Sequence, residues 1–145
     1  MKLISLNLGG EGYLPALTDF LNTHKDRVDI FCFQQMNSPE QMPKVFGDFN
    51  SFALNGVAVF VRKDYTIQNR QEIPVRSGAQ VVLDIFKNEK KYRVINEHGL
   101  ANSEPIIKAM EATASPVIVT GDFNLESNGL VSLVHEYGVT STLSE

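Results

Sequence analysis

Four stretches of this 145-residue chain carry side chains that could do chemistry: Asn7, Gln34-Gln35, His98, and Asp122 with Asn124. The most informative is Gly121-Asp122-Phe123-Asn124. An Asp placed after a permissive Gly can take a proton from an attacking water or hold a metal's water, and an Asn supplies an amide donor for negative charge growing on a phosphoryl oxygen. Alternation across Phe123 aims both polar side chains the same way. The same Asp and Asn also make ordinary turns and helix caps after a strand, and that alternative stays open. His98 adds an imidazole, and Asn7 and the two glutamines add neutral amides. Each sits at, or directly after, the carboxyl end of an apolar run. Ligands of α/β sheets bind outside the carboxyl ends of strands, so these distant groups are expected to share one edge.

The elements that must bring them there are legible. Lys2 to Leu8 reads as a strand ended by Gly9-Gly10 and Gly12. Leu14, Leu17 and Leu21, with Phe20 beside them, line one face of a helix whose first turn holds Pro15 and which ends near His24. Val28 to Phe33 reads as a buried strand, and strand, helix, strand in this space predicts a right-handed parallel crossover. Ser38-Pro39-Glu40-Gln41 has the form of a capping box opening a short helix to about Phe46. Phe49 to Leu54 and Val57 to Arg62 flank Asn55-Gly56, a strong hairpin signal. Thr66 to Val75 is a further strand. Gln80 to Phe86 and Tyr92 to Glu97 form a pair turned by Lys87 to Lys91, with Tyr65 and Tyr92 packing against strands. Ser103 caps a helix through about Thr113 with Ile106, Ile107, Met110 and Ala114 facing inward. Pro116 to Thr120 is a last strand, and a helix near Asn128 to Tyr137 is stopped by Gly138. A parallel start, an antiparallel middle and an α/β finish imply a mixed sheet or two sheets with helices outside.

With 43% hydrophobic and 21% charged residues the chain has the composition of one globular domain. Thirteen Lys and Arg against seventeen Asp and Glu give a net charge of −4, with a pI near 5.4. That is the wrong sign for wrapping a polyanion by long-range attraction, so a phosphate must be gripped locally. The single Cys32 lies in an apolar run and reads as a buried thiol. No apolar run reaches the ~20 residues of a membrane helix, and no signal-peptide core is present, so a cytoplasmic protein without a membrane span is expected. His24 and His135 fall near helix ends as surface imidazoles, and Lys87, Lys90, Lys91 and Arg93 form a basic, solvated hairpin tip.

Five blocks together resemble the endonuclease/exonuclease/phosphatase superfamily: Lys2 to Asn7, Asp29 to Gln34, Gly56 to Phe60, Val94 to Leu100 and Val117 to Asn124. They occur in the family's order and span nearly the whole chain. The resemblance implies a single α/β domain over residues 1–145, a two-sheet sandwich with outer helices in four layers. It also implies divalent-metal hydrolysis of phosphoesters. Asn7 resembles the first-strand Asn that contacts metal or phosphate, and His98 the His that hydrogen-bonds a phosphate oxygen. Asp122 and Asn124 resemble the pair that orients the attacking water and steadies the transition state. Arg76 lies about where some members keep a phosphate-contacting Arg; as a residue, it reads equally as a solvated loop charge.

Two departures bear on activity. The family's Gln-Glu, whose Glu is the principal metal ligand, is Gln34-Gln35 here. An amide at position 35 keeps the shape without the charge, and Mg²⁺ is normally held through one or two carboxylates plus substrate oxygens. Glu97 does not replace it, because alternation puts it on the face opposite His98, and Glu126 lies beyond the turn. Second, the family's closing Ser-Asp-His block has no counterpart before Glu145, so the fold is expected to be incomplete at its C-terminal edge. An unpaired sheet edge there invites self-association. The resemblance therefore implies a Mg²⁺- or Mn²⁺-dependent phosphoester hydrolase. Its ion is weakly held or absent because of Gln35, its activity is impaired or absent because of Gln35 and the missing closing Asp-His, and its substrate is a phosphorylated small molecule or nucleic acid. The alternative is a pseudoenzyme or shortened fragment that keeps the fold and at most weak phosphate or partner binding.

Overall fold

A computed structural model describes residues 1–9, 14–36, 46–99 and 104–122. Gly10 and Gly12, the capping box at Ser38 to Gln41, Leu100, Ser103, Phe123, Asn124, Glu126, His135, Gly138 and the helix expected over 128–137 lie outside the described residues. The strands are β1 (Leu3–Asn7), β2 (Ile30–Gln34), β3 (Phe49–Leu54), β4 (Val57–Arg62), β5 (Thr66–Val75), β6 (Gly78–Lys87), β7 (Lys90–His98) and β8 (Val117–Asp122); the helices are α1 (Leu14–His24) and α2 (Glu104–Glu111).

They form two four-stranded sheets, ordered β1-β2-β4-β3 and β5-β6-β7-β8. The expected parallel crossover joins β1 to β2, in register from Leu3↔Ile30 to Asn7↔Gln34. Its helix covers the outer face of the first sheet, where Leu17 and Leu21 pack in one cluster with Phe31, Phe33, Phe46, Phe49 and Phe60. Asn55 and Gly56 both take positive φ, 48° and 82°. That pair of left-handed residues makes the two-residue turn whose twist suits a hairpin. Asn88 and Glu89, at 53° and 64°, do the same between β6 and β7.

The sheets pack face to face through alternate apolar side chains. Ile30, Cys32, Val57, Val59 and Val61 of the first meet Ala79, Val81, Leu83, Ile85 and Val94 of the second, all buried. Each of the larger ones contributes roughly 1.5–3 kcal/mol by leaving water. The second sheet's outer face carries α2, whose buried Ile106 packs with Val75 and Val119. Helix, sheet, sheet and helix give the α/β sandwich in four layers.

Two expectations are corrected. Ala114 does not face inward: α2 ends at Glu111, and Ala114 lies beyond it, exposed. Arg93 is not part of a solvated tip. It alternates onto the outer face of β7, is buried, pairs with Asp84 through Nε at 2.8 Å and Nη2 at 3.1 Å, and donates from Nη1 to the Ala109 carbonyl of α2 at 2.9 Å. Counting charges along a hairpin could not reveal that one of them faces inward.

Candidate functional site at the carboxyl edge of the sandwich

β1 and β2 run parallel, as do β7 and β8, and the last residues of β1 and β8 meet. All four strands therefore deliver their carboxyl ends to one end of the cleft between the sheets. On β1, alternation puts Leu3, which packs into the inter-sheet core, on the same face as Asn7. On β7 it does so for Val94 and His98, and Asp122 is the register partner of His98.

Asn7, His98 and Asp122 are thereby brought together. Asn7 Nδ2 donates to Asp122 Oδ2 at 2.8 Å, while Asn7 Oδ1 accepts from the Gly9 amide at 2.9 Å. His98 Nε2 stands 3.9 Å from the same Asp122 oxygen. That exceeds a direct hydrogen bond. The carboxylate side chain is 40% exposed and the imidazole 15%.

Glycines make the approach of these strands possible. Gly121, just past the strand expected over Pro116 to Thr120, lies within β8 with φ 146°. A Cβ there would stand 2.2 Å from the Glu97 carbonyl oxygen, so only Gly lets β8 lie against β7 and place Asp122 beside His98. Gly78 has the same relation to the His98 carbonyl, also 2.2 Å from a built Cβ.

Arg76 is exposed, in the turn between β5 and β6. Ser77 ties that turn to the site edge, donating from its amide and its hydroxyl to the Gly99 carbonyl, each at 3.2 Å. Asn55 braces the turn from the other sheet, donating to the Gly78 carbonyl at 3.2 Å. In the sequence Asn55 reads only as a hairpin residue, because a contact across the sandwich leaves no local signal. Gln35 directly follows β2 with φ 55°, so alternation along the strand no longer dictates its direction. Glu97 does alternate away from the site. It is fully buried, accepts from Gln80 Nε2 at 3.1 Å, and burial pushes its carboxyl up to about 8.

Among the described residues no three His, Cys, Asp or Glu side chains converge as a metal cage. Asp122 is the carboxylate at the edge, and the Asn7 amide turns its N–H, not its oxygen, toward it. This donor set fits a divalent ion shared with a ligand's own oxygens, which Mg²⁺ commonly accepts.

No protein-family model matches the sequence, and the comparison with curated proteins found no match. Solved structures are similar to it. An endonuclease/exonuclease/phosphatase family protein from Bacteroides thetaiotaomicron superposes with a TM-score of 0.70 at 16% identity, over 94% of this chain and 68% of that one. TDP2 from C. elegans gives 0.69 at 16% identity over 88% and 48%. The human Nocturnin catalytic domain, solved with a bound sulfate anion, gives 0.65 at 12% identity over 92% and 68%. The chain thus spans about half the length of the C. elegans structure and about two thirds of the other two. Likeness at these identities is likeness of architecture, and by it the chain has the fold of the endonuclease/exonuclease/phosphatase superfamily.

Proposed function

We propose that the carboxyl edge of the sandwich binds the phosphate of a phosphoester, and that the chain is a divalent-metal-dependent phosphoester hydrolase whose turnover is slow. The observation that carries this is the meeting of Asn7, His98 and Asp122 from strands far apart in sequence, with a 3.9 Å gap between imidazole and carboxylate. His98 Nε2 donates to a non-bridging phosphate oxygen, and Asp122 orients the attacking water and takes up its proton. Asn7 holds the Asp122 carboxylate in place, and Asn124, two residues on, donates to charge growing on the phosphoryl group. Asn7, Gln35 and Asp122 are the residues that would hold Mg²⁺ or Mn²⁺ together with the ligand. When bound, such an ion neutralises charge on the phosphoryl oxygens. Arg76, on its braced turn, contacts the phosphate from the rim.

Two neighbours favour a phosphate-type ligand: Nocturnin holds sulfate, and TDP2 from D. rerio was solved with a single-strand DNA product. The net charge of −4 favours a small phosphorylated compound or a short strand over duplex wrapping. A second reading, phosphate binding without turnover, is favoured by the uncharged Gln34-Gln35 pair. Self-association through a sheet edge belongs to that reading.

Hydrolysis of an activated phosphodiester with Mg²⁺ or Mn²⁺ is the test, comparing the parent, Gln35→Glu and Asp122→Ala. EDTA-sensitive turnover in the parent that is lost in Asp122→Ala supports the hydrolase. Turnover only in Gln35→Glu supports the binding protein. Neither turnover nor phosphate binding in any form overturns both.

A further inference from the structure

Beneath Asn7, His98 and Asp122, between the sheets, lies a connected set of polar side chains. Asn96, fully buried, is its centre. Its Nδ2 donates to the carbonyls of Phe33 at 3.1 Å and Ala58 at 3.0 Å, the last paired positions of β2 and β4. Its Oδ1 accepts from Gln34 Nε2 at 2.7 Å and from Thr120 Oγ1 at 3.3 Å. Both N–H donors of this amide are used, and its oxygen takes the Gln34 bond and shares the single Thr120 hydroxyl proton with the Ile95 carbonyl, also at 3.3 Å. Gln34 Nε2 reaches on to Ser5 Oγ at 3.2 Å.

The placement matches the edge above it residue for residue. Ser5, Asn96 and Thr120 each stand two residues before Asn7, His98 and Asp122, on the same face of the same strand. Gln34 is the register partner of Asn7. Apart from the Asn7–Asp122 bond at the edge and the Asn55 bond to the Gly78 carbonyl, the rest of the inter-sheet contact is largely apolar, aliphatic side chains with Phe52, Tyr65 and Tyr92. Such packing is non-directional and specifies the offset of one sheet over the other less sharply than hydrogen bonds do. A hydrogen-bonded amide network is directional and rigidifies the contact it spans. Burying it is unfavourable unless every bond is made, so an apolar side chain would serve packing alone as well.

We infer that Asn96, with Gln34 and Thr120, is a positioning network that fixes the offset between the two sheets and thereby the spacing of Asn7, His98 and Asp122. This deepens the phosphate-site reading and rests on it; none of the three touches the ligand.

Inorganic phosphate is titrated into the parent, Asn96→Leu, Gln34→Met, Thr120→Val and Thr120→Ser. NMR follows the His98 ring and Asn7 side-chain amide resonances, and melting temperatures are measured alongside. Gln34→Met and Thr120→Val are expected to weaken phosphate binding about tenfold and to move both resonances before ligand is added, whereas Thr120→Ser keeps the parent's affinity. If Asn96→Leu does not fold, the other variants decide. Folded Gln34→Met and Thr120→Val proteins that bind like the parent, with both resonances in place, overturn the network and leave the site standing. A parent that binds no phosphate overturns the site instead, and the ligand-free resonances still decide whether the network positions Asn7 and His98.

Discussion

Asn7, on the first strand, gives its side-chain amide to the carboxylate of Asp122, on the last described strand, across 2.8 Å and 115 positions of sequence. The bond joins the two sheets at their carboxyl edge. It sets the acid's orientation and leaves the amide oxygen facing Gly9. Asn7→Ala is expected to weaken phosphate binding about tenfold with little loss of stability, since the pair is exposed and such bonds contribute ~1 kcal/mol. Phosphate titration and a melting curve on the same sample check it.

Gln35→Glu adds a second carboxylate to share a divalent ion with Asp122. Two opposite charges ~4 Å apart interact by ~4 kcal/mol at an effective dielectric of 20, before desolvation is subtracted. Mn²⁺ affinity measured by calorimetry is expected to rise tenfold or more over the parent, roughly 1.4 kcal/mol. An unchanged affinity would place residue 35 outside the metal's reach.

Glu97 makes stability depend on pH. Burial raises its carboxyl from the usual range to about 8, so the folded protein holds a proton that the unfolded chain releases. Its contribution is fully present below the unfolded-state value, near 4.5, and is lost as pH rises through about 8. Glu97→Gln is expected to flatten this slope, stabilising the protein by a few kcal/mol at pH 8 and hardly at all at pH 4. Urea denaturation at both pH values tests it.

Arg93 and Asp84 act in the opposite direction. Arg93, with Asn69 also donating, holds the Asp84 carboxyl below its usual range. That stability is present above the unfolded-state value and is lost as pH falls through the folded one. Arg93→Ala leaves a buried carboxylate and an unsatisfied Ala109 carbonyl, and is expected to cost ~3–5 kcal/mol. Arg93→Lys should rescue little, because an ammonium cannot make the forked contact. The measurement is the denaturation midpoint of each variant.

Gly121→Ala should fail at the join of β7 and β8. Its Cβ would stand 2.2 Å from a backbone oxygen, a contact no rotamer relieves, and the expected cost is about 3 kcal/mol or more. Phosphate binding should fall with it, because Asp122 is the next residue.

Periodicity determined much of this protein. The crossover of β1, α1 and β2, the Asn55-Gly56 hairpin and the β6–β7 pair follow from apolar alternation, helical spacing and residues that tolerate positive φ, all local properties. The expected position of Asn7, His98 and Asp122 at strand ends was legible for the same reason, and Glu97 could be assigned to the opposite face by parity alone. Tertiary structure decided what depends on contacts between distant segments. Only the packing of one sheet on another closes Asn7 onto Asp122, buries Arg93 against Asp84, makes Gly121 a point of close backbone approach, and assembles Asn96, Gln34 and Thr120 into one network. Local pattern fixes which way a side chain points along its own strand; which atom it meets is set by the register and offset of strands that the chain brings together only on folding.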